Sequence, residues 1–126
     1  MRAILDTSVF IAREQGRAVA DVAGEEAISV VTIAELHVGV LTADDPDARA
    51  QRLRTLAEVE SAYDALAVDE DVARCFAGLV AAARRAGQRP RIMDALIAAT
   101  AITHGAAVMT QDADFDGFPG LTVLRV

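Results

Sequence analysis

The sequence predicts an α/β fold: a three-layer α/β/α sandwich around a mostly parallel five-stranded sheet. Three observations lead there. Short apolar runs of strand length alternate with helical stretches from one end to the other. The 126 residues are 53% hydrophobic but include only five aromatic side chains against 27 alanines, a composition suited to closely packed layers of small residues. No linker, repeat or low-complexity segment interrupts the alternation, so residues 1–126 read as one domain. At 13.3 kDa such a chain hides about two-thirds of its unfolded surface, enough for a core without covalent staples.

Each element follows from its residues. Arg2-Ala-Ile-Leu5 is an apolar run closed by Asp6, and Ser8 to Ile11 continue it as a helix. Residues 18–24 read as a second short helix stopped by Gly24. Ala27 to Val31 is β-branched and of strand length, and Thr32 opens a helix with Ile33, Leu36, Val40 and Leu41 on one face. Asp44-Asp-Pro-Asp47 breaks it. Pro46 then starts a helix to Ala62 on the spacing of Leu53, Leu56 and Val59, with proline in the first turn where its missing N–H costs nothing. Asp64 to Val68 is a third strand. Asp69-Glu-Asp71 puts negative charge at the start of the next helix, where the macrodipole favours it, and that helix ends near Arg84 to Gly87. Another helix runs from Pro90 to Gly105. Ala106 to Thr110 is strand four, Asp112 to Asp116 an acidic turn and Leu121 to Leu124 strand five.

Composition prunes the functions open to this fold. The 12 basic residues are all arginine, so chemistry that needs a Schiff-base lysine or a phosphate-loop lysine is excluded. With 19 acids the net charge is -7, which argues against a simple basic clamp on nucleic acid but not against a nucleic-acid enzyme that works through bound cations. The lone Cys75 precludes an intrachain disulfide and a cysteine-built metal cage. His37 and His104 lack the paired spacing of zinc motifs. Residues 95–111 form the longest uncharged stretch, but three threonines, His104 and Gly105 make it a poor membrane span, and the N-terminus has no signal-peptide pattern. A cytoplasmic protein with no membrane partner is expected.

In parallel α/β sheets ligands bind beyond the carboxyl ends of the strands, where strand order reverses. Asp6 closes strand one, Glu35 lies in the first turn after strand two, Asp94 lies in the first turn of the helix leading to strand four, and Asp112 and Asp114 follow strand four. Each has an ordinary structural reading: Asp6 as a helix cap, Thr32 to Glu35 as a capping box, Asp94 as a dipole complement, Asp112 and Asp114 as turn acids. Together they make a different case. Two carboxylates about 4 Å apart repel by about 4 kcal/mol at an effective dielectric near 20. The natural partner of an all-oxygen cluster is a hard divalent cation, Mg²⁺ or Mn²⁺. Without it, members of the cluster should titrate at raised pKa as a coupled group.

The same residues carry a family resemblance. Ile4-Leu-Asp6-Thr-Ser8, Thr32-Ile-Ala-Glu35-Leu-His-Val-Gly39, Asp94-Ala-Leu-Ile97-Ala-Ala-Thr100 preceded by Gly87, and Thr110-Gln-Asp112-Ala-Asp114-Phe115 stand in the order found in the PIN-domain nucleases. Within that family the chain resembles the VapC-type toxins of bacterial toxin–antitoxin pairs. The resemblance spans the whole chain and implies a PIN-like fold and a metal-dependent endoribonuclease with Asp6, Glu35, Asp94 and Asp112 as the catalytic acids. It also implies Asp114 as a further acid beside the metal ligands Asp6, Asp94 and Asp112, Thr7 and Thr110 as supporting residues, a homodimer, and a cognate antitoxin that covers the site. Asp6 and Asp94 are expected as direct ligands, Glu35 and Asp112 as direct or water-mediated ones.

Setting the five acids aside leaves fourteen acids against twelve arginines, so much of the negative charge belongs to the cluster itself. Arg84, Arg85, Arg89 and Arg91 fall just before Asp94 and suit RNA phosphates, or equally the negative end of a helix. Apolar faces on the helices at 8–14 and 46–62 suit a partner, a dimer or the core. Two rival classes with acids at strand ends fit less well: a phosphoacceptor domain needs a lysine, and an aspartate-nucleophile phosphotransferase wants an acid where Ser8 stands. A non-catalytic metal- or protein-binding α/β module is the alternative if the acids do not converge.

Overall fold

The computed structural model describes residues 2–22 and 24–126. Five strands, β1 (Arg2–Leu5), β2 (Glu25–Ser29), β3 (Ala65–Leu66), β4 (Ala107–Thr110) and β5 (Val123–Arg125), form one sheet in the order β3-β2-β1-β4-β5, and all four pairings are parallel. The helices are α1 (Thr7–Glu14), α2 (Val30–Leu41), α3 (Pro46–Ala62), α4 (Glu70–Arg85) and α5 (Ile92–Thr103), with a 3-10 turn over Ala113–Phe115.

The strand period of two builds the layers. On β1, Ile4 faces one cluster with Val108, the α4 residues Val72, Leu79 and Val80, and the α5 alanines 95, 98, 99 and 101. Ala3 and Leu5 face the other, with Ile28, Met109, Val9 and Phe10 of α1, Leu36 and Val40 of α2, and Leu56 and Val59 of α3. The sheet therefore lies between α4 and α5 on one side and α1 and α3 on the other, with α2 crossing its edge: Val31 packs into the first cluster and Leu36 into the second. The two edge strands, β3 and β5, are only two and three residues long, which leaves little exposed ladder.

Several expected boundaries move. Arg17 to Val22 and Gly24 form no helix, and Ala23 lies outside the described residues. The stop comes earlier: Gly16, at φ 71°, ends α1 with Arg17 N–H bonded to Ala12 O at 2.8 Å. At seven residues the stretch from 18 to 24 is too short to offset the cost of a new helical nucleus on its own. β2 is Glu25–Ser29, two residues earlier than the apolar run suggested, because Ser29 caps α2 by accepting from Val31 N at 3.0 Å, so Val30 and Val31 are helical. The helix therefore does not start at Thr32. Leu41, expected on the buried face, is 71% exposed, and Leu53 is exposed beside buried Leu56 and Val59. Strands three and five also shrink, to Ala65–Leu66 and Val123–Arg125. Asp45 and Asp69, read from the sequence as part of a helix break and as charge for the macrodipole, cap α3 and α4 by accepting from backbone amides in the first turn.

The strand order fixes where a site belongs. From β1 the chain steps outward through β2 to β3, then crosses back to place β4 and β5 on the other side of β1. The reversal falls between β1 and β4, and the carboxyl ends of these two strands carry Asp6 and Thr110. Gly87, at φ 74°, closes α4 with Gln88 N–H on Ala83 O at 2.8 Å and turns the chain so that Pro90 and Arg91 lead into α5 at this same edge.

Candidate active site

Asp6 leaves β1 with its N–H on Met109 O at 2.9 Å, an extra rung between the two central strands. It occupies the N-cap position of α1 but its carboxylate makes no capping bond. Instead Oδ2 accepts from Thr110 Oγ1 at 3.0 Å, in a place where Asp6 is 4% and Thr110 0% exposed. The Thr110 hydroxyl is fully used. Having donated to Asp6, it accepts from Asp112 N at 3.0 Å and from Ser8 Oγ at 3.2 Å; Ser8 Oγ in turn accepts from Gln111 N at 3.0 Å. Ser8, which the sequence offered only as a helix start, thus ties α1 to the loop after β4.

Glu35 lies in the second turn of α2, not the first, because the helix begins at Val30. The expected capping box is absent: Ser29 is the cap, Thr32 is fully buried with its hydroxyl unpartnered, and Glu35 Oε1 accepts from Thr7 Oγ1 at 2.7 Å. Asp94 stands in the first turn of α5, 6% exposed, with Arg91 Nε 3.9 Å from its Oδ2. Asp112 takes the N-cap position of the 3-10 turn without a side-chain cap bond, and Asp114 Oδ2 lies 3.8 Å from Arg91 Nη1. The ordinary capping roles are thus unfilled at Asp6, Asp112 and Glu35.

The charges of these five acids act on one another. Burial pushes the Asp94 carboxyl up to about 6, the Arg91 guanidinium opposes this, and the charges of Asp6, Asp114 and Glu35 add to it. Burial raises Asp112 too, helped by Asp6 and Asp114 and opposed by Arg91 and Arg125. Glu35 is raised chiefly by burial, against the Thr7 hydrogen bond, with the Asp6 charge raising it and Arg91 lowering it. Arg91 is the cation common to all three.

The remaining arginines of the 84–91 run lie differently. Arg84 and Arg85 end α4, and Arg84 and Arg89 line a cavity of about 670 Å³ with Val80, Gly87, Pro90 and Ile92. Arg89 also lines a neighbouring cavity of about 410 Å³ that reaches Asp114. His37 pairs with Glu60 at 3.3 Å away from the cluster, and Cys75 packs against the α4–α5 core.

Among the described residues no three His, Cys, Asp or Glu side chains stand at direct chelating distance around one point. The donor set nevertheless suits a hard cation, since all five groups are carboxylates and no thiol or imidazole competes. Magnesium in particular takes one or two carboxylates and keeps several waters, so it does not require an all-protein cage.

The PIN domain family model matches residues 3–121. The chain belongs to the PIN-domain family. Within it, the chain is 44% identical over 127 residues to ribonuclease VapC4 of Mycobacterium tuberculosis, covering 99% of this chain and 97% of that one. It is 46% identical over 128 residues to ribonuclease VapC5 of the same organism, covering 98% and 94%. A crystal structure of VapBC-5, a member of the VapBC family of toxin-antitoxin systems from M. tuberculosis, superposes with a TM-score of 0.85 at 44% identity over 99% of this chain and 98% of that one. The parallel sheet and five helices of this PIN domain match that fold. No helix among the described residues of the PIN domain is long and apolar enough to cross a membrane.

Proposed function

We propose that this PIN domain, as a single-domain chain, is a divalent-metal-dependent endoribonuclease that hydrolyses RNA phosphodiester bonds and acts as the toxin of a toxin–antitoxin pair. The observation that carries the reading is the meeting of Asp6, Glu35, Asp94, Asp112 and Asp114 at the point of strand reversal, where burial and the neighbouring acid charges raise the pKa values of Glu35, Asp94 and Asp112 against the guanidinium of Arg91. The ribonuclease names of its full-length VapC relatives support the activity, and the toxin–antitoxin assembly of its structural neighbour supports a cognate antitoxin.

Asp6 and Asp94, the two most buried acids, would hold Mg²⁺ or Mn²⁺ directly, Asp114 would supplement them, and Glu35 and Asp112 would act directly or through water. When bound, the cation supplies Lewis-acid activation of water and neutralises charge that grows on the phosphate oxygens during in-line displacement. Thr110 fixes the Asp6 carboxylate and the Asp112 backbone in one orientation, and Thr7 fixes Glu35, so the acids need little reordering when substrate binds. Arg91, with Arg84, Arg85 and Arg89 farther out, provides positive charge for RNA phosphates. The protein works in the cytoplasm as a homodimer, and exposed Val38, Leu41 and Leu53 on α2 and α3 offer apolar surface to a partner.

The test is cleavage of total RNA with and without Mn²⁺, together with calorimetry. Wild type should take up Mn²⁺ and cut RNA only in its presence; D6N and D94N should fold, lose specific uptake and lose cleavage by at least a hundredfold. Cleavage by either variant at the wild-type rate would refute the site. Uptake of Mn²⁺ with RNA left intact would favour the non-catalytic module.

A further inference from the structure

Helix α5 begins in an unusual way. The helices after β2, after Asp45 and after Asp69 start with a serine or aspartate whose side chain bonds the first-turn amides. Helix α5 starts with Arg91, which makes no side-chain cap bond. A cation at the positive end of a helix works against the macrodipole, so something else must compensate it. The side chain is 70% exposed, at the solvent rim of the acidic cluster. It folds back so that Nε is 3.9 Å from Asp94 Oδ2 and Nη1 is 3.8 Å from Asp114 Oδ2. Its two ends thus meet acids from two elements, the first turn of α5 and the 3-10 turn after β4, and its charge reaches Glu35 on α2 and Asp112 as well.

We infer that Arg91 is a displaceable internal counter-ion, which bridges Asp94 and Asp114 in the metal-free protein and gives both up when a divalent cation is bound. This rests on the metal-dependent reading above, since the same carboxylates serve both cations. A guanidinium and a divalent ion within a few ångströms repel, so the two states exclude each other at close range. The exchange holds the acidic cluster together before the metal arrives, and it frees Arg91 for an RNA phosphate afterwards. It also makes Arg91 a brake on metal affinity, a role that a plain phosphate contact does not have.

Calorimetry with Mn²⁺ on the full chain, without RNA, tests this. R91Q should bind Mn²⁺ about tenfold more tightly than wild type, because the competing charge is gone. R89Q, which removes an equal charge from the neighbouring cavity, should stay within about twofold. The metal-free R91Q protein should melt at a lower temperature than wild type at pH 7.5, and saturating Mn²⁺ should close that gap. Should R91Q not fold, the Arg91 Nε–Hε resonance of wild type, followed as diamagnetic Mg²⁺ is added, should shift with the same midpoint as binding. Equal or weaker Mn²⁺ affinity in R91Q, or an Arg91 resonance unmoved at saturation, overturns the exchange while leaving the nuclease reading in place. A wild type that takes up no Mn²⁺ overturns both.

Discussion

Thr110 serves three partners with one hydroxyl, at a position with no access to water that might replace them. Replacing it with valine keeps the shape but leaves the Asp112 amide and an Asp6 oxygen without their bonds. Unsatisfied buried groups of this kind cost about 1–3 kcal/mol each. T110V should therefore lower the urea midpoint and reduce RNA cleavage at least tenfold, whereas T110S should retain most of both. Asp94 makes a second, pH-dependent case. Its folded pKa of about 6 lies above the ordinary value of 3.8, so between these values the folded state holds the proton more firmly than the unfolded one. The contribution of Asp94 to stability of the metal-free protein is thus fully present below about pH 4 and is lost as pH rises to about 6, by about 2–3 kcal/mol at 1.36 kcal/mol per pKa unit. D94N should remove most of that fall and raise the melting temperature at pH 7.5, in scans of EDTA-treated protein. At this scale the positions of Asp6, Asp94, Asp112 and Asp114 were legible because each follows a strand or opens a helix, while Glu35 lies a turn deeper in α2 than the sequence suggested. Ser8 and the Thr7–Glu35 bond were less so, since hydrogen bonds across 28 and 102 residues leave no local pattern.

Among the elements, α5 shows most directly what the alanine-rich composition is for. Ala95, Ala98, Ala99 and Ala101 are fully buried, and α5 presses against both α4 and the central strands on these small side chains. A98L or A99L should cost about 1–3 kcal/mol through overpacking, read as a lower urea midpoint, and should weaken Mn²⁺ uptake because Asp94 rides on the same helix. D45A gives the contrast: it removes the α3 cap, worth about 1 kcal/mol, at a carboxylate that bonds the first-turn amides of Asp47 and Ala48, and it should leave Mn²⁺ affinity unchanged in calorimetry. The five helices were legible in the sequence, and their ends in Pro46, the acids at 69–71 and the glycines at 87 and 105. The β2–α2 junction was not, because Val30 and Val31 are β-branched and continue the strand's apolar run, while Ser29 alone decides where the helix begins. Residues 18–24 misled in the opposite sense, since a terminal glycine marks a stop only where a packed helix precedes it.

For the molecule as a whole, alternation of strands and helices pointed to the sheet, but strand order does not reside in any local pattern. It follows from packing, with the largely buried β1 and β4 at the centre and the short β3 and β5 outside. That order concentrates negative charge at one edge, so removing divalent cations should be felt globally: saturating Mn²⁺ should raise the melting temperature by several degrees at pH 7.5 and much less at pH 5, where protonation already relieves the repulsion. The central position of β1 has a consequence for how the protein comes into being. Strand β1 acquires one of its two neighbours about a hundred residues later in the chain, when Met109 and Thr110 arrive to fix Asp6. A chain synthesised only as far as α5 therefore carries its acids apart, and the chemistry of the site is withheld until β4 has been made and docked beside β1.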